Sequence, residues 1–551
     1  YIYLLITYGA ELKLKKYFFI FFLVFTSYSS QLFSNDFVED VIQKTPVQSK
    51  KASLNSDNKT FSDLEINIEE DDDDNEGTEN NNGRIVQLNN SDDFIFTGSE
   101  SGSNTSYGAF AAGSITTGVN NTAIGYQALL STTSGDNNIA LGYRALFSNI
   151  SGNSNLGIGY TALFNNSSGS LNTASGYSSL YSNQTGSKNS AYGAYSLFSN
   201  TTGENNAAFG YAALYSNTTG SLNSAFGYNT LYNNTTGTEN SAFGYSALSQ
   251  NTVGIRNAAF GFKSLYSNTT GNNNTALGYE SLFSNTTASQ NTAVGYQAAF
   301  NNTTGYDNTV VGFQALYQNT TGDGNSAFGR NSLQGNTTGN YNVAIGAFAL
   351  EANTTAGFNT AVGYQALSRN TTASKNSAFG YQALAYNTTG SLNTASGYQS
   401  LLFNSTGSEN TGFGYRSLYS NTTGNYNTAI GMAALQSNTI GTGNTASGYL
   451  ALFANTTGNY NTASGYQALF TNTTGSYNTA TGLSALFSNT SGSYNTATGN
   501  VALYSNTTGN YNTASGYQAL FNNTTGSYNT ASGYQALYSN TTGDKNLASG
   551  Y

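Results

Sequence analysis

From about residue 104 to residue 551, small apolar, larger apolar and polar residues follow one another in a fixed order. The order is clearest in residues 461–477, Asn-Thr-Ala-Ser-Gly-Tyr-Gln-Ala-Leu-Phe-Thr-Asn-Thr-Thr-Gly-Ser-Tyr, and it starts again 17 residues later. With that Asn as position 1, glycine occupies position 5 at every seventeenth residue from Gly108 to Gly550, which is 442 residues or 26 periods. A fixed period without insertions predicts a solenoid, in which each repeat forms one coil stacked on the last.

Each repeat contains two short segments separated by turns. Thr-Ala-x around position 3 and Gln-Ala-Leu-Tyr/Phe around position 9 each have the length of a strand of about three to five residues. Glycine at position 5, and at position 15 in nearly every repeat, predicts the turns. Alanine replaces the second glycine at Ala288, Ala356 and Ala373, which indicates ordinary φ at position 15. Position 5 is predicted to require glycine, as at Gly125, Gly142, Gly465, Gly482 and Gly516.

The interior of the coil is predicted to be narrow. Alanine at position 3 and leucine at position 9 recur almost without exception, as in Ala463 and Leu469. Stacked in register, the coils place Asn over Asn, Thr over Thr and Tyr over Tyr, in rows that satisfy side-chain amides and stack rings. The predicted fold is therefore all-β, a parallel β-roll or β-solenoid of about 26 coils and roughly 125 Å at sheet spacing.

Position 4 changes character along the chain. It is mostly apolar from Ile124 to Ile430, whereas from Ser447 onward it is only Ser or Thr. A side chain that varies this much does not belong to a tightly packed core. A long exposed row of phenylalanines favours aggregation, so we interpret the earlier repeats as forming a subunit interface. Its predicted residues are Ile124, Phe209, Phe226, Phe243 and Phe260.

The residues before the array differ from it in composition. Residues 1–34 are predicted to be a signal peptide behind a possible spurious extension, because lysines precede the apolar run 17–25, which is too short for a membrane span. Residues 35–103 are predicted to be an acidic, disordered spacer, with a short strand at Ile85-Val86 and 94–96. The contiguous acidic run 69–74 lacks the spacing of a calcium loop. The array, 104–551, is expected to be truncated at its C-terminus.

Composition narrows the chemistry further. The chain has no Cys and no His, which removes disulfides, thiolate metal sites and the commonest general base. Residues 1–107 hold 18 of the 27 acidic and 8 of the 17 basic residues, so the array carries nine of each and is neutral. A neutral array has no electrostatic footprint for nucleic acid. No catalytic arrangement recurs, and the sequence predicts a non-enzymatic protein without metal or cofactor.

The Asn-Thr-Ala-x-Gly core, as in residues 121–125 and 427–431, resembles the head repeats of YadA-like trimeric autotransporter adhesins. That resemblance implies a left-handed parallel β-roll, three chains side by side, on a bacterial outer membrane. It also implies binding to a host matrix protein, a glycan or another cell surface. The usual repeat of the family is shorter, about fourteen residues, and the segment Leu-x-x-Asn-Thr-Thr-Gly lengthens one turn here. The sequence contains no counterpart of the family's stalk and membrane barrel, which would lie beyond residue 551 if they exist.

Alternative interpretations remain open. In the first interpretation the chain is a secreted adhesin or fibre. In the second it is a structural spacer resembling a phage tail fibre, and in the third it is an ice-binding solenoid. The third relies on the Thr pairs at positions 13 and 14, such as Thr456 and Thr457, which would form a regular threonine array. The Tyr row at position 6, from Tyr126 to Tyr534, is predicted either to stack on sugars or collagen-like partners or to cover the roll's own flank.

Overall fold

Three-residue strands recur every 17 residues, and each pairs in parallel with the same strand of the next coil. The computed structural model describes residues 85–86, 96–97 and 103–551, all within the unit Asn81–Tyr551. The described residues contain no helix, which confirms the predicted all-β solenoid of about 26 coils. The predicted signal peptide and most of the acidic spacer lie outside the described residues.

Strand β1 pairs antiparallel with β2, and β3 to β29 form one in-register ladder. The strands are β1 (Ile85–Val86), β2 (Phe96–Thr97), β3 (Thr105–Tyr107), β4 (Thr122–Ile124), β5 (Ile139–Leu141), β6 (Leu156–Ile158), β7 (Thr173–Ser175), β8 (Ser190–Tyr192), β9 (Ala207–Phe209), β10 (Ser224–Phe226), β11 (Ser241–Phe243), β12 (Ala258–Phe260), β13 (Thr275–Leu277), β14 (Thr292–Val294), β15 (Thr309–Val311), β16 (Ser326–Phe328), β17 (Val343–Ile345), β18 (Thr360–Val362), β19 (Ser377–Phe379), β20 (Thr394–Ser396), β21 (Thr411–Phe413), β22 (Thr428–Ile430), β23 (Thr445–Ser447), β24 (Thr462–Ser464), β25 (Thr479–Thr481), β26 (Thr496–Thr498), β27 (Thr513–Ser515), β28 (Thr530–Ser532) and β29 (Leu547–Ser549).

The prediction of a second strand in each coil, around position 9, is wrong. Gln467 and Leu469 have φ of 52° and 53°, in the left-handed region, and this alternation repeats along the array. Ala468 and Leu469 are both fully buried. In a regular strand consecutive side chains point to opposite faces, so two adjacent inward side chains require a different backbone. The segment still bonds to the next coil, because the Leu469 N–H donates to the Ala485 carbonyl at 2.9 Å.

The interior contains two rows of asparagine as well as alanine and leucine. Asn461 and Asn472, at positions 1 and 12, are both completely buried. The Asn461 amide donates to Asn444 Oδ1 at 3.1 Å and to the Gly475 carbonyl at 2.8 Å. The Asn472 amide donates to Asn455 Oδ1 and to the same carbonyl, both at 2.9 Å. These bonds satisfy the buried amides from coil to coil, as burial of polar groups requires.

The two glycine turns differ in backbone geometry. Gly465 has φ of 136°, and a Cβ there would lie 2.8 Å from the carbonyl carbon of Gly482 in the next coil. The other predicted turn glycines have the same conformation, with φ between 131° and 136° at Gly125, Gly142, Gly482 and Gly516. Gly475, at position 15, lies outside the left-handed region, in keeping with alanine at the equivalent Ala288.

Candidate binding surfaces

Positions 2 and 4 of each strand project outward, on either side of the buried residue at position 3. In β4 to β22 the position-4 residues form what we call the apolar row, which runs from Ile124 to Ile430 and is interrupted by Ser175 and Ser396. Ile124 is 42% exposed, and Phe209, Phe226, Phe243 and Phe260 are partly exposed. The rings from Tyr192 to Phe260 stack at centroid distances of 4.6–4.8 Å.

The same face has different chemistry in β23 to β28. Twelve residues, which we call the hydroxyl face, are exposed there: Thr445, Ser447, Thr462, Ser464, Thr479, Thr481, Thr496, Thr498, Thr513, Ser515, Thr530 and Ser532. Within the described part of the chain, none of their side-chain hydroxyls hydrogen-bonds to another protein group. The face therefore presents unoccupied hydroxyl and methyl groups in register.

The threonines at position 13 are engaged within the rod. Thr473 Oγ1 donates to the carbonyl of Thr490 at 3.0 Å, and the same bond recurs along the array. Asn472-Thr473-Thr474 fits the Asn-x-Thr glycosylation sequence. Asn472 is buried and hydrogen-bonded, however, so it is inaccessible to a glycosyltransferase in the folded coil. The first Thr of each Asn-Thr-Thr run thus stabilises a turn, and its hydroxyl is not available to bind ice.

Two aromatic rows flank the left-handed segment, at positions 6 and 10. At position 6, Tyr126, Tyr143, Tyr160 and Tyr177 stack at 5.0–5.4 Å. At position 10, the rings from Phe147 to Tyr232 stack at 5.0–5.2 Å. Because each ring's faces are covered by its neighbours, the interior of a row presents ring edges and hydroxyls outward. This geometry is unsuited to stacking a sugar on an aromatic face.

A groove of about 400 Å³ lies between these rows, from Arg144 to Tyr195. The side chains that form its floor, at position 7, are small. Two of them, Thr161 and Ser178, share a 2.8 Å hydrogen bond between their hydroxyls. In the coil of Tyr195, position 6 is Ala194 and carries no ring. The Tyr195 ring occupies the space of the missing position-6 ring and contacts Tyr177 edge to face at 5.3 Å. Desolvation, together with the neighbouring Tyr177 and Tyr211 phenols, raises the pKa of Tyr195 above its usual value.

A third aromatic row, at position 17, was not identified from the sequence. Tyr460, Tyr477, Tyr494, Tyr511 and Tyr528, here called the tyrosine row, stack at 4.8–5.2 Å and are about half exposed. The sequence did contain a signal for this row: tyrosine at position 17 occurs in the same coils as Ser/Thr at position 4. In earlier coils position 17 is mixed, and there Arg256 pairs with Glu239 at 2.9 Å.

The fold and these surfaces define the class as a parallel β-solenoid with tandem 17-residue coils. No family model, curated protein or solved structure matches the chain. Within residues 103–551, no group of three acidic side chains is arranged to hold a metal ion. The described residues include no helix able to cross a lipid bilayer.

Proposed function

We propose that the chain is a non-enzymatic, secreted surface fibre or adhesin that assembles side by side through its apolar row and binds by multivalent contact. The single observation that supports this is the apolar row itself. Its aromatic part is preorganised, because the stacked rings from Tyr192 to Phe260 hold one another in place. Contiguous exposed apolar surface of this extent is typical of an interaction site.

The size of the row suits a protein–protein interface. Strands β4 to β22 at sheet spacing extend over roughly 90 Å, and a width of about 10 Å gives an area of roughly 900 Å². A standard stable interface buries about 800 Å² on each partner. A second copy of the chain offers the same row with the same spacing, so the coils of two or three copies match from β4 to β22. The number three comes from the resemblance to YadA-like heads.

Multivalent binding follows from the regularity of the rod. Each coil repeats the same outward positions, so weak contacts at one coil recur along the fibre and add through effective concentration. The nine acidic and nine basic residues of the array are scattered, which favours a neutral partner such as a glycan or a matrix protein. Display on a bacterial cell surface is part of the proposal.

The assembly is tested by the solution mass of the full chain, measured by light scattering. We expect three times the chain mass of 57.9 kDa. The variant Phe209→Ser, Phe226→Ser, Phe243→Ser should dissociate, because it removes the apolar contact. It should still fold, because serine already occupies this position at Ser175 and Ser396. A matched control, Phe164→Ser, Phe283→Ser, Phe300→Ser at position 10, should keep the assembled mass. A monomeric wild type would contradict the proposal.

Adhesion and a spacer role are separated by a binding measurement. Beads coated with the full chain are applied to matrix proteins and to immobilised glycans, with beads carrying the dissociated variant as the control. An adhesin should retain beads on one of these surfaces, and retention should fall steeply when assembly is lost. Failure of wild-type beads to bind any of the surfaces favours the spacer.

A further inference from the structure

The hydroxyl face combines three properties over two adjacent rows. Its two rows are uncharged, they are in register from Thr445 to Ser532, and their hydroxyls are not used by the protein. The position-2 row consists of threonine alone, so each coil adds a methyl group beside a hydroxyl. Buried Ala446 to Ala531 hold the strands from inside, so the face is fixed by the interior.

The spacing of these groups is set by the sheet. Neighbouring coils are about 4.8 Å apart, and positions 2 and 4 of one strand are about 6.6 Å apart. The tyrosine row supports the first value, with ring centroids 4.8–5.2 Å apart next to the same strands. These distances are of the same order as the repeat distances between water oxygens in hexagonal ice. A rigid grid of this kind orders water along two directions at once.

Other occupants fit less well. Six coils with two rows give a surface of roughly 300 Å², well below the about 800 Å² per partner of a stable protein interface. The face has no charge to attract an ionic ligand and no free aromatic face for a sugar. An ordered water layer forms on a neutral, regular surface that presents methyl and hydroxyl groups side by side. The face supplies that surface.

We propose that the hydroxyl face, residues 445–532 at positions 2 and 4, binds the surface of ice through a layer of ordered water. The threonine hydroxyls anchor water molecules at lattice spacing, and the threonine methyl groups restrict the water between them. This site differs from the Thr pairs at positions 13 and 14, of which the first is engaged in bonds between coils. The two surfaces occupy the same face of the rod in different coils, so the proposal requires that assembly through the apolar row in β4 to β22 leaves β23 to β28 uncovered.

The test uses the full chain, with ice as the probe. Ice is grown slowly from a dilute solution, the protein in the ice fraction is measured, and the gap between melting and freezing temperatures is recorded. The variant Thr481→Tyr, Thr498→Tyr places large rings in the centre of the face, and Tyr192 shows that a coil accepts tyrosine at position 4. The control, Thr474→Tyr, Thr508→Tyr, makes the same change at exposed position 14.

We expect the wild type and the control to be enriched in ice and to open a measurable gap, and the Thr481 and Thr498 variant to lose most of both effects. A second variant, Thr479→Ala, Thr496→Ala, should also lose most of the effect while folding normally, because Ala207 and Ala258 occur at position 2. Exclusion of the wild type from ice, or equal incorporation of all variants, would overturn the proposal. The solution mass of every variant should equal that of the wild type, which separates this result from failure of assembly.

Discussion

Coils 121–443 and coils 444–549 share an interior and differ on the outside. Ala225 and Leu231 in the first region are as completely buried as Ala480 and Leu486 in the second. Outside, Phe226 is replaced at the equivalent position by Thr481, and position 17 changes from mixed residues to tyrosine. The coil therefore depends on its inward positions and its turns, while positions 2, 4 and 17 are free to carry different binding chemistry.

The difference also explains how one rod accommodates two surfaces. A surface forms only where several consecutive coils carry similar side chains at the same position. The apolar row covers β4 to β22, and the hydroxyl face covers β23 to β28. If the two regions share the same interior, a substitution at an inward position or a turn should have the same effect on stability in both regions. A substitution at an outward position should not.

The largest expected effect is at the position-5 turn. Gly227→Ala and Gly482→Ala each place a Cβ where φ is 135° or 132°, 2.8 Å and 2.7 Å from a carbonyl carbon of the next coil. Backbone strain together with this close contact should cost about 3 kcal/mol in either region. Hydrogen exchange of neighbouring strand amides measures it. A Cβ at Gly475 also approaches the backbone of the next coil, but φ there is ordinary and the coil accepts Ala288, Ala356 and Ala373 at this position, so the control Gly475→Ala should cost less. Clearly unequal costs at Gly227 and Gly482 would refute a common interior.

The next largest effect concerns the buried asparagines at position 12. Asn234 donates to Asn217 Oδ1 at 2.8 Å, and Asn489 donates to Asn472 Oδ1 at 2.7 Å. Asn234→Ala and Asn489→Ala should each cost roughly 1–3 kcal/mol, because a buried acceptor is left without its donor. Local exchange protection of the adjacent coils is the measurement. The exposed control Thr236→Ala should change stability by less than about 0.5 kcal/mol. Equal, near-zero losses in both asparagine variants would show that the rows do not stabilise the coil.

How much of this was predictable depends on what repetition reveals. The period, the in-register stacking, the turn at Gly465 and the burial of Ala463 and Leu469 follow from pattern and residue size. The left-handed backbone at Leu469 and Tyr477 was not predictable, because bulky residues rarely adopt that conformation. The neighbouring pair Ala468-Leu469 held the clue, since two adjacent inward side chains are incompatible with a strand. The exposed tyrosine row was not predicted, because position 17 carries mixed residues in the earlier coils and tyrosine recurs over a longer stretch at position 6.

A smaller effect is expected from the tyrosine row, which only the second region has. Tyr494 stacks on Tyr477 at 4.9 Å and on Tyr511 at 4.8 Å. Tyr494→Ala should cost about 0.5–1.5 kcal/mol for each lost pair, whereas Tyr494→Phe should cost little. The counterpart in the first region is Leu222, also exposed at position 17 but without a ring contact, so Leu222→Ala should be nearly neutral. Chemical denaturation followed by local exchange measures the difference, and an equal loss at Leu222 would mean that stacking contributes nothing.

The smallest effect is the pH response of position 17 in the first region. The Arg256 guanidinium hydrogen-bonds to Glu239 and attracts its charge, and both effects lower the pKa of that carboxyl. Because the folded pKa lies below the unfolded one, the pair stabilises the fold above the ordinary Glu range, about pH 4.3, and this contribution is lost as pH falls through the folded pKa.

Carbon-13 titration of the Glu239 carboxyl should therefore show a midpoint below the ordinary value, and Arg256→Gln should move it back. The tyrosine row has no carboxylate at position 17 from Tyr460 to Tyr528, so the same acidification should leave its coils unchanged. The energetic effect is small because both partners are exposed and screened by salt. An ordinary midpoint in the wild type would mean that the pair does not persist in solution. Position 17 in the coils of Glu239 and Arg256 would then be merely solvated, and the contrast of these coils with the stacked second region would become sharper.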